Sequence, residues 1–368
     1  MTPSEKDRQF MLRALELAAQ GEGRVEPNPM VGCIIVRDQQ VVGEGYHTAF
    51  GQPHAEVEAL KQAGTAARDA TMYVTLEPCC HQGKTPPCTK AIIDAGVQRV
   101  VIGAPDPYEQ VNGGGMELLE SAGVDVCSAV MEEESRELNA PYFKRIETGR
   151  PWVIAKWAMT LDGKIATVSG DSQWISCEQS RQIVHRLRGR VDAILIGRGT
   201  ADADDPLLTA RPAGPRTAVR VVIDSRGQLS SQSQLVKTAG ETPVLVAVHS
   251  GAPAADVERL TAAGCEVFAC QGDSPAVRLE SLLDELGRRE MTNLLVEGGA
   301  RLLGSFFDAA AVDEVHVFIA PKIVGGGISA VGGSGVDRVE YAWHLQNAHR
   351  EWIDGDTYIT GRVVRGTP

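Results

Sequence analysis

In Pro53-His54-Ala55-Glu56 an imidazole and a carboxylate stand two residues apart, and two thiols, Cys79 and Cys88, follow downstream. One imidazole and two thiols make three ligands of the kind zinc takes, with a fourth tetrahedral position left for water; a purely structural zinc site is closed by four protein ligands. Glu56 supplies the carboxylate that a metal-activated water needs as its proton carrier. The set therefore reads as a catalytic zinc centre, with His54, Cys79 and Cys88 as ligands and Glu56 as the catalytic acid-base group. Lone cysteines usually serve as small buried hydrophobes, and Cys33, Cys127, Cys177, Cys265 and Cys270 read that way. Cys80, beside a ligand, is open between a substitute ligand, a redox liability and a filler.

Backbone elements must bring these groups together. The apolar pattern predicts a helix over 10–19, strands at 31–37 and 41–46, a helix over 54–63 and a strand over 71–76. Residues two apart diverge by about 200° in mid-helix, so His54 and Glu56 converge only in the first turn of their helix or at its cap. Cys79 follows the 71–76 strand directly, where a second helix is expected to begin, and a helix N-terminus favours the thiolate that zinc requires. Helices at 89–96 and 115–122 then alternate with strands at 99–104 and 124–127. A turn at 147–151 separates this α/β series from a second one, with strands at 192–197, 219–223, 244–248, 293–296 and 313–319 and helices at 178–189, 278–287 and 300–309.

The H-x-E…P-C pattern is that of zinc-dependent nucleobase deaminases, but eight residues separate Cys79 from Cys88 where the nucleoside type has two. The longer loop, His81-Gln82-Gly83-Lys84-Thr85-Pro86-Pro87-Cys88, resembles the deaminase half of the bifunctional riboflavin biosynthesis deaminase-reductase family. The segments Pro27-Asn28-Pro29-Met30-Val31-Gly32-Cys33, Gly43-Glu44-Gly45-Tyr46-His47, Val74-Thr75-Leu76-Glu77-Pro78-Cys79 and Asp106-Pro107 match the same family. Departures fall at Cys80, where members usually carry Ser, and at Glu109 and Gly114, where a second proline and a basic residue are usual. The resemblance implies a cytidine-deaminase-like three-layer α/β domain over residues 1–147. Asn28, His81 and Lys84 are read as substrate contacts, a solvated Lys84 being the alternative.

The second series resembles the reductase half of that family. Its matching segments are Lys156-Trp157-Ala158-Met159-Thr160-Leu161-Asp162-Gly163-Lys164, Ser172-Gln173-Trp174-Ile175, Ala203-Asp204-Asp205-Pro206-Leu207-Leu208-Thr209, Val222-Ile223-Asp224-Ser225, Val296-Glu297-Gly298-Gly299-Ala300-Arg301-Leu302 and Ile319-Ala320-Pro321-Lys322. The resemblance implies a dihydrofolate-reductase-like domain over 151–366 that uses NADPH. By position, Ala158, Trp174, Thr200, Asp204, Ser225, Gly299, Ala300, Arg301, Leu302, Leu303, Gly304 and Ser305 would line the cofactor. Ser172, Arg188, Leu208, Arg211 and Glu297 would line the substrate, with the two arginines on its phosphate. Independently of the resemblance, Gly298-Gly299 between a buried strand and a helix lets backbone N–H groups approach a pyrophosphate. The proton donor is open among Asp204, Glu297 and Lys156, and Arg226 is a candidate for the cofactor's 2′-phosphate.

The implied reaction removes the 2-amino group of 2,5-diamino-6-ribosylamino-4(3H)-pyrimidinone 5′-phosphate. The ribosyl group of the product, 5-amino-6-(5-phosphoribosylamino)uracil, is then reduced to ribityl. The alternatives are a deaminase whose reductase-like half is inactive or serves another substrate, and a zinc-binding regulatory protein, which would have no use for Glu56.

Composition agrees with a two-domain enzyme of 368 residues, 43% of them apolar. No run approaches the ~18 apolar residues of a membrane span, and the start lacks a basic-then-apolar signal pattern, so a cytoplasmic enzyme is expected. Eight cysteines with a zinc-like grouping fit a reducing compartment better than a disulfide framework. The net charge of −12 argues against bulk nucleic-acid binding, which needs a basic face. Residues 1–147 carry 13 basic and 22 acidic side chains, net −9; the remainder carries 23 and 26, net −3. The later part holds Arg181, Arg186, Arg188, Arg190, Arg198 and Arg211 close in sequence, suited to an anionic small molecule. A phosphorylated pyrimidine is the expected partner, and family membership suggests a homo-oligomer.

Overall fold

A strand that points Cys33 and Ile35 to one side and Ile34 and Val36 to the other must be covered twice, because all four are apolar and buried. In the computed structural model, which describes residues 4–81 and 86–366, this happens in each of two compact units, residues 1–149 and 150–368.

The first unit contains β1 (Gly32–Arg37), β2 (Gln40–Tyr46), β3 (Thr71–Leu76), β4 (Arg99–Ala104) and β5 (Asp125–Cys127). Their order is β2-β1-β3-β4-β5, with β1 antiparallel to both neighbours and β3, β4 and β5 parallel. On one face α2 (Ala55–Ala63), α3 (Cys88–Ala95) and α4 (Gly114–Ser121) pack Ala59, Ile92 and Leu119 against Cys33, Ile35, Met72 and Ile102. On the other, α1 (Glu5–Ala18) packs Met11, Ala14 and Leu15 against Ile34, Tyr73 and Val101. This is the three-layer α/β arrangement. Helices α5 (Glu132–Leu138) and α6 (Ala140–Thr148) complete the unit.

Helix α1 starts at Glu5 rather than 10, because Ser4 and Asp7 form a capping box. Two glycines set the seat of α2. A Cβ on Gly45 would lie 2.4 Å from the Ala55 carbonyl oxygen, and one on Gly43 2.3 Å from that of Ala59. Only bare backbone lets β2 approach the helix that begins at the His54-Ala55-Glu56 motif.

The second unit is built on a nine-stranded sheet ordered β11-β10-β9-β8-β12-β6-β13-β16-β15. The strands are β6 (Trp152–Thr160), β8 (Ala193–Gly197), β9 (Val219–Ile223), β10 (Val244–His249), β11 (Glu266–Cys270), β12 (Asn293–Val296), β13 (Glu314–Ala320), β15 (Trp343–Ile353) and β16 (Asp356–Arg365). All are parallel as far as β13, and β16 and β15 close one edge antiparallel. A short pair, β7 (Lys164–Ala166) and β14 (Ile328–Ser329), stands apart. Helices α11 (Pro275–Arg288) and α12 (Ala300–Asp308) cover one face through Leu282, Leu286, Leu303 and Phe306. The other face is covered by α7 (Glu178–Arg188), α9 (Gln234–Lys237) and α10 (Ala254–Ala262) through Leu187, Leu235 and Leu260, and α8 (Arg198–Asp204) contributes Ala201.

The N-terminus of α7 is moored to the far end of the sheet. Buried Asp356 accepts hydrogen bonds from the Cys177 N–H and the Ser180 hydroxyl, both at 2.7 Å. Sequence patterning leaves β6, β11, β15, β16 and the short pair β7 and β14 unseen. β15 is exposed along almost its whole length and so carries no burial alternation for a period-two reading to detect.

Candidate active sites

In the first unit the turn into α2 and the segment after β3 bring three donors together. His54 is the N-cap of α2, with extended backbone (φ −73°, ψ 161°), and Glu56 lies in the first turn. The geometry is the one in which residues two apart can converge. His54 Nδ1 lies 3.6 Å from Cys79 Sγ and 3.3 Å from Cys88 Sγ, and the three donor atoms are within 4.8 Å of one another. Nitrogen and sulfur ligands of one tetrahedral zinc stand roughly 3.6 Å apart, so the donor set fits that ion.

Helix α3 begins at Cys88, not at Cys79 as the sequence suggests. A residue preceding proline is kept out of the helical region, so Pro86-Pro87 postpones the helix until Pro87 has passed. Cys79 receives the helix terminus all the same, because the Cys88 N–H donates to Cys79 Sγ at 3.3 Å. The Cys88 thiol and the His54 ring both favour the Cys79 thiolate and hold it below the usual thiol range. Cys88 is pushed up by Cys79 and by burial. Hydrogen bonding to Cys79 raises His54 to about 8 against the opposing effect of burial. Such a set exchanges protons for a divalent cation readily.

Glu56 is 3% exposed. Burial pushes its carboxyl up, while the His54 charge and a hydrogen bond from Cys88 oppose this. A carboxylate kept dry beside a metal triad is suited to holding and passing a proton. Around this centre, Asn28 Nδ2 lies 3.2 Å from His47 Nε2, and His47 Nδ1 lies 3.1 Å from the Pro53 carbonyl oxygen. If Nδ1 carries the proton, as the Pro53 contact requires, Nε2 accepts from the Asn28 amide. The His47 ring meets His54 edge-on at 5.5 Å. His47 has a positioning geometry that its place in the Gly43–His47 segment does not disclose. The His81 ring meets Tyr108 edge-on at 5.9 Å, and its Nδ1 is buried with no hydrogen-bond partner among the described residues. Lys84 lies outside the described residues.

In the second unit the candidates gather beyond the carboxyl ends of the parallel strands, where open α/β sheets bind ligands. Ala158 lies near the end of β6, Thr200 just after β8, Ser225 just after β9, and Glu297 and Gly299 just after β12. A Cβ on Gly299, the N-cap of α12, would stand 3.6 Å from Thr200 Oγ1, so two cofactor candidates from distant segments adjoin. The α12 N-terminus, with bare Gly298 and Gly299 before it, fits a cofactor phosphate. Ala300, Arg301, Leu302 and Ser305 retain exposure. Leu303 does not: it packs the core. Gly304 is pressed against the backbone of Gly332 and Gly333.

The centre of this region is ionic. Arg188 makes a two-pronged bond to Glu297, at 2.6 and 2.8 Å, and Lys156 Nζ stands 3.9 Å from the same carboxylate. Although burial pushes Glu297 up, Arg188 and Lys156 outweigh it and hold the carboxyl below its usual range. Burial and the Arg188 charge lower Lys156, partly offset by Glu297. Arg188, expected on a phosphate, thus has two of its donors committed to Glu297. Arg211 is exposed, Leu208 is buried in the left-handed region (φ 54°), and Ser172 is half-buried. Trp174 is 62% exposed, lies under the Arg181 guanidinium at 4.5 Å, and is held through its carbonyl by Lys322 at 2.7 Å. Asp204 and Ser225 are exposed.

Comparison with known proteins joins the two units. Residues 4–104 match the cytidine and deoxycytidylate deaminase zinc-binding region, and residues 151–359 match the RibD C-terminal domain. The riboflavin biosynthesis protein RibD of Actinobacillus pleuropneumoniae is 41% identical over 97% of this chain and 96% of its own length. That of Escherichia coli K12 is 40% identical over 87% and 89%. Among solved structures, Acinetobacter baumannii RibD superposes with a TM-score of 0.87 at 34% identity, covering 99% of both chains. A Thermotoga maritima diaminohydroxyphosphoribosylaminopyrimidine deaminase/5-amino-6-(5-phosphoribosylamino)uracil reductase superposes at 0.84 with 36% identity, covering 98% of this chain and 99% of its own. With both units matched in one order along nearly its full length, this chain belongs to the RibD family of bifunctional deaminase-reductases of riboflavin biosynthesis.

Proposed function

We propose that residues 1–147 deaminate 2,5-diamino-6-ribosylamino-4(3H)-pyrimidinone 5′-phosphate and that residues 151–366 reduce the ribosyl group of the product to ribityl. The carrying observation is the convergence of His54, Cys79 and Cys88 around a dry Glu56, in a chain that matches both halves of the family. His54, Cys79 and Cys88 would hold zinc, which when bound acidifies water at its open position. Glu56 takes the proton from the attacking water and delivers it to the leaving amine, so that ammonia departs and a ring carbonyl remains. Asn28, oriented by His47, and His81 face the pyrimidine, with Lys84 on the substrate's anionic end.

In the second unit bound NADPH would supply the hydride that reduces C1′ of the opened ribosylamine. Ala158, Trp174, Thr200, Asp204, Ser225 and the start of α12 hold the cofactor. Ser172, Leu208, Arg211 and the Arg188–Glu297 pair hold the substrate. Lys156 is the proton carrier: its amine is buried against Glu297, whereas Arg188 keeps Glu297 ionised. The enzyme works as a homo-oligomer in the cytoplasm on a phosphorylated small molecule, without nucleic acid or membrane; among the described residues no helix is long and apolar enough to cross a membrane.

The test is a coupled assay on purified protein that follows ammonia release and NADPH oxidation with the diaminopyrimidine ribosyl phosphate, with and without a zinc chelator. Both signals are expected, with the chelator stopping ammonia release but not NADPH oxidation when the deaminated product is supplied directly. NADPH oxidation absent even with that product would overturn the assignment of the second unit.

A further inference from the structure

Glu77 is buried two residues before Cys79 and does not belong to the metal triad, and among the described residues it forms no salt bridge. Its carboxylate accepts four backbone N–H groups. Oε1 takes those of Gly115 and Met116, at 3.0 and 3.2 Å, and Oε2 takes those of Gly113 and Asp106, at 3.1 and 3.4 Å. A buried carboxylate is costly unless its lone pairs are satisfied, and here the four donors come from one segment, 106–116, the loop before α4 together with the first turn of α4. The same loop closes on the residues around Cys79 at two further points. A Cβ on Gly115 would lie 2.2 Å from the Pro78 carbonyl oxygen, and Cys80 Sγ stands 3.4 Å from the Gln110 carbonyl oxygen. The loop reaches the candidate site, since Asp106 N–H and carboxylate anchor its start and Tyr108 stands edge-on to His81.

We infer that Glu77 is a positioning residue for deamination: one carboxylate gathers the loop before α4 and the first turn of that helix, residues 106–116, into the wall of the substrate pocket carrying Tyr108, while its neighbour two residues on serves the metal. This rests on the deaminase reading proposed above. Substrate affinity then scales with the fraction of time the loop is closed, because apparent affinity falls by the population of the competent state. Chemistry at Glu56, once substrate is bound, does not depend on it.

The test uses the full chain, whose reductase activity serves as an internal control. In Glu77→Gln an NH2 group replaces one acceptor and faces two N–H donors. In Gly115→Ala the new Cβ pushes the segment off the Pro78 carbonyl, with Glu77 Oε1 next nearest at 3.1 Å, while the Glu77 carboxylate itself is retained. Both variants are expected to raise the deaminase KM about tenfold or more, with kcat within about threefold. Zinc content and NADPH oxidation on supplied deaminated product should be unchanged, and amide exchange across 106–116 faster. An unchanged KM in both variants overturns the inference. So does loss of zinc together with activity, which would make Glu77 a support of the ligand segment. A wild-type chain that releases no ammonia sinks the deaminase reading instead, and the exchange measurement then decides the anchoring by itself: unchanged exchange in Glu77→Gln refutes it.

Discussion

The first unit's site is drawn from a short window and the second unit's from a long one, and the two are held together by different physics. His54, Glu56, Cys79 and Cys88 span 35 residues, and the donor atoms of His54, Cys79 and Cys88 lie within 4.8 Å of one another. In the second unit the candidates run from Lys156 to Ser305 and meet at strand ends, through bare backbone at Gly298 and Gly299 and through one buried ionic cluster, Lys156–Glu297–Arg188. A metal demands particular atoms at particular distances. A dinucleotide accepts backbone N–H groups that almost any residue can supply. Chemistry that needs specific side chains therefore concentrates in sequence, and recognition that uses the scaffold spreads along it.

Four substitutions probe that contrast, in order of effect. Glu56→Gln should retain zinc and lose about 10³-fold in ammonia release, the scale of a general acid-base group, while NADPH oxidation on supplied product is untouched; a parallel loss in both assays would erase the independence of the two sites. Glu297→Gln should strand two buried cations, costing about 3–5 kcal/mol, readable as lowered thermal stability and lost reductase turnover with deamination preserved.

Asp106→Asn separates pH responses. Burial raises the Asp106 carboxyl from 3.8 to about 6, against hydrogen bonds from the Tyr108 N–H and the Tyr142 hydroxyl. The folded state thus keeps this proton after the unfolded state has released it. Its contribution to stability is complete below pH ~4, declines as pH rises to ~6, and totals about 3 kcal/mol at most. Unfolding of the wild type and the variant between pH 4 and 7 should show the decline only in the wild type. Trp174→Ala should have the smallest effect, about a fivefold rise in KM for NADPH, the scale of one exposed ring contact. No change would remove Trp174 from the cofactor site.

The same contrast explains what could be read from sequence. The candidate zinc ligands and Glu56 are legible because His, Cys and Glu at fixed separations have few other reasons to coincide, and strands such as Gly32–Arg37 and Asn293–Val296 announce themselves by continuous apolar runs. The start of α3 is misplaced because strand-then-cysteine suggests a cap, while the deciding feature is the Pro86-Pro87 pair. The commitment of Arg188 to Glu297 is invisible because 109 residues separate them. Position within the motif likewise places Leu303 among the cofactor residues, and only the helix's orientation turns it into the core. Glu77 looks like motif background until the loop that it holds is seen in space.

One mooring carries a consequence for the far end of the chain. Asp356, the first residue of the last strand, holds the start of α7, and the other end of α7 carries Arg188. The helix is in effect a lever whose footing is the C-terminal hairpin and whose tip is the ionic cluster. Shortening the protein before Asp356 removes no residue of either site, yet it takes away the footing, so the tip would tilt where hydride transfer requires it to be still.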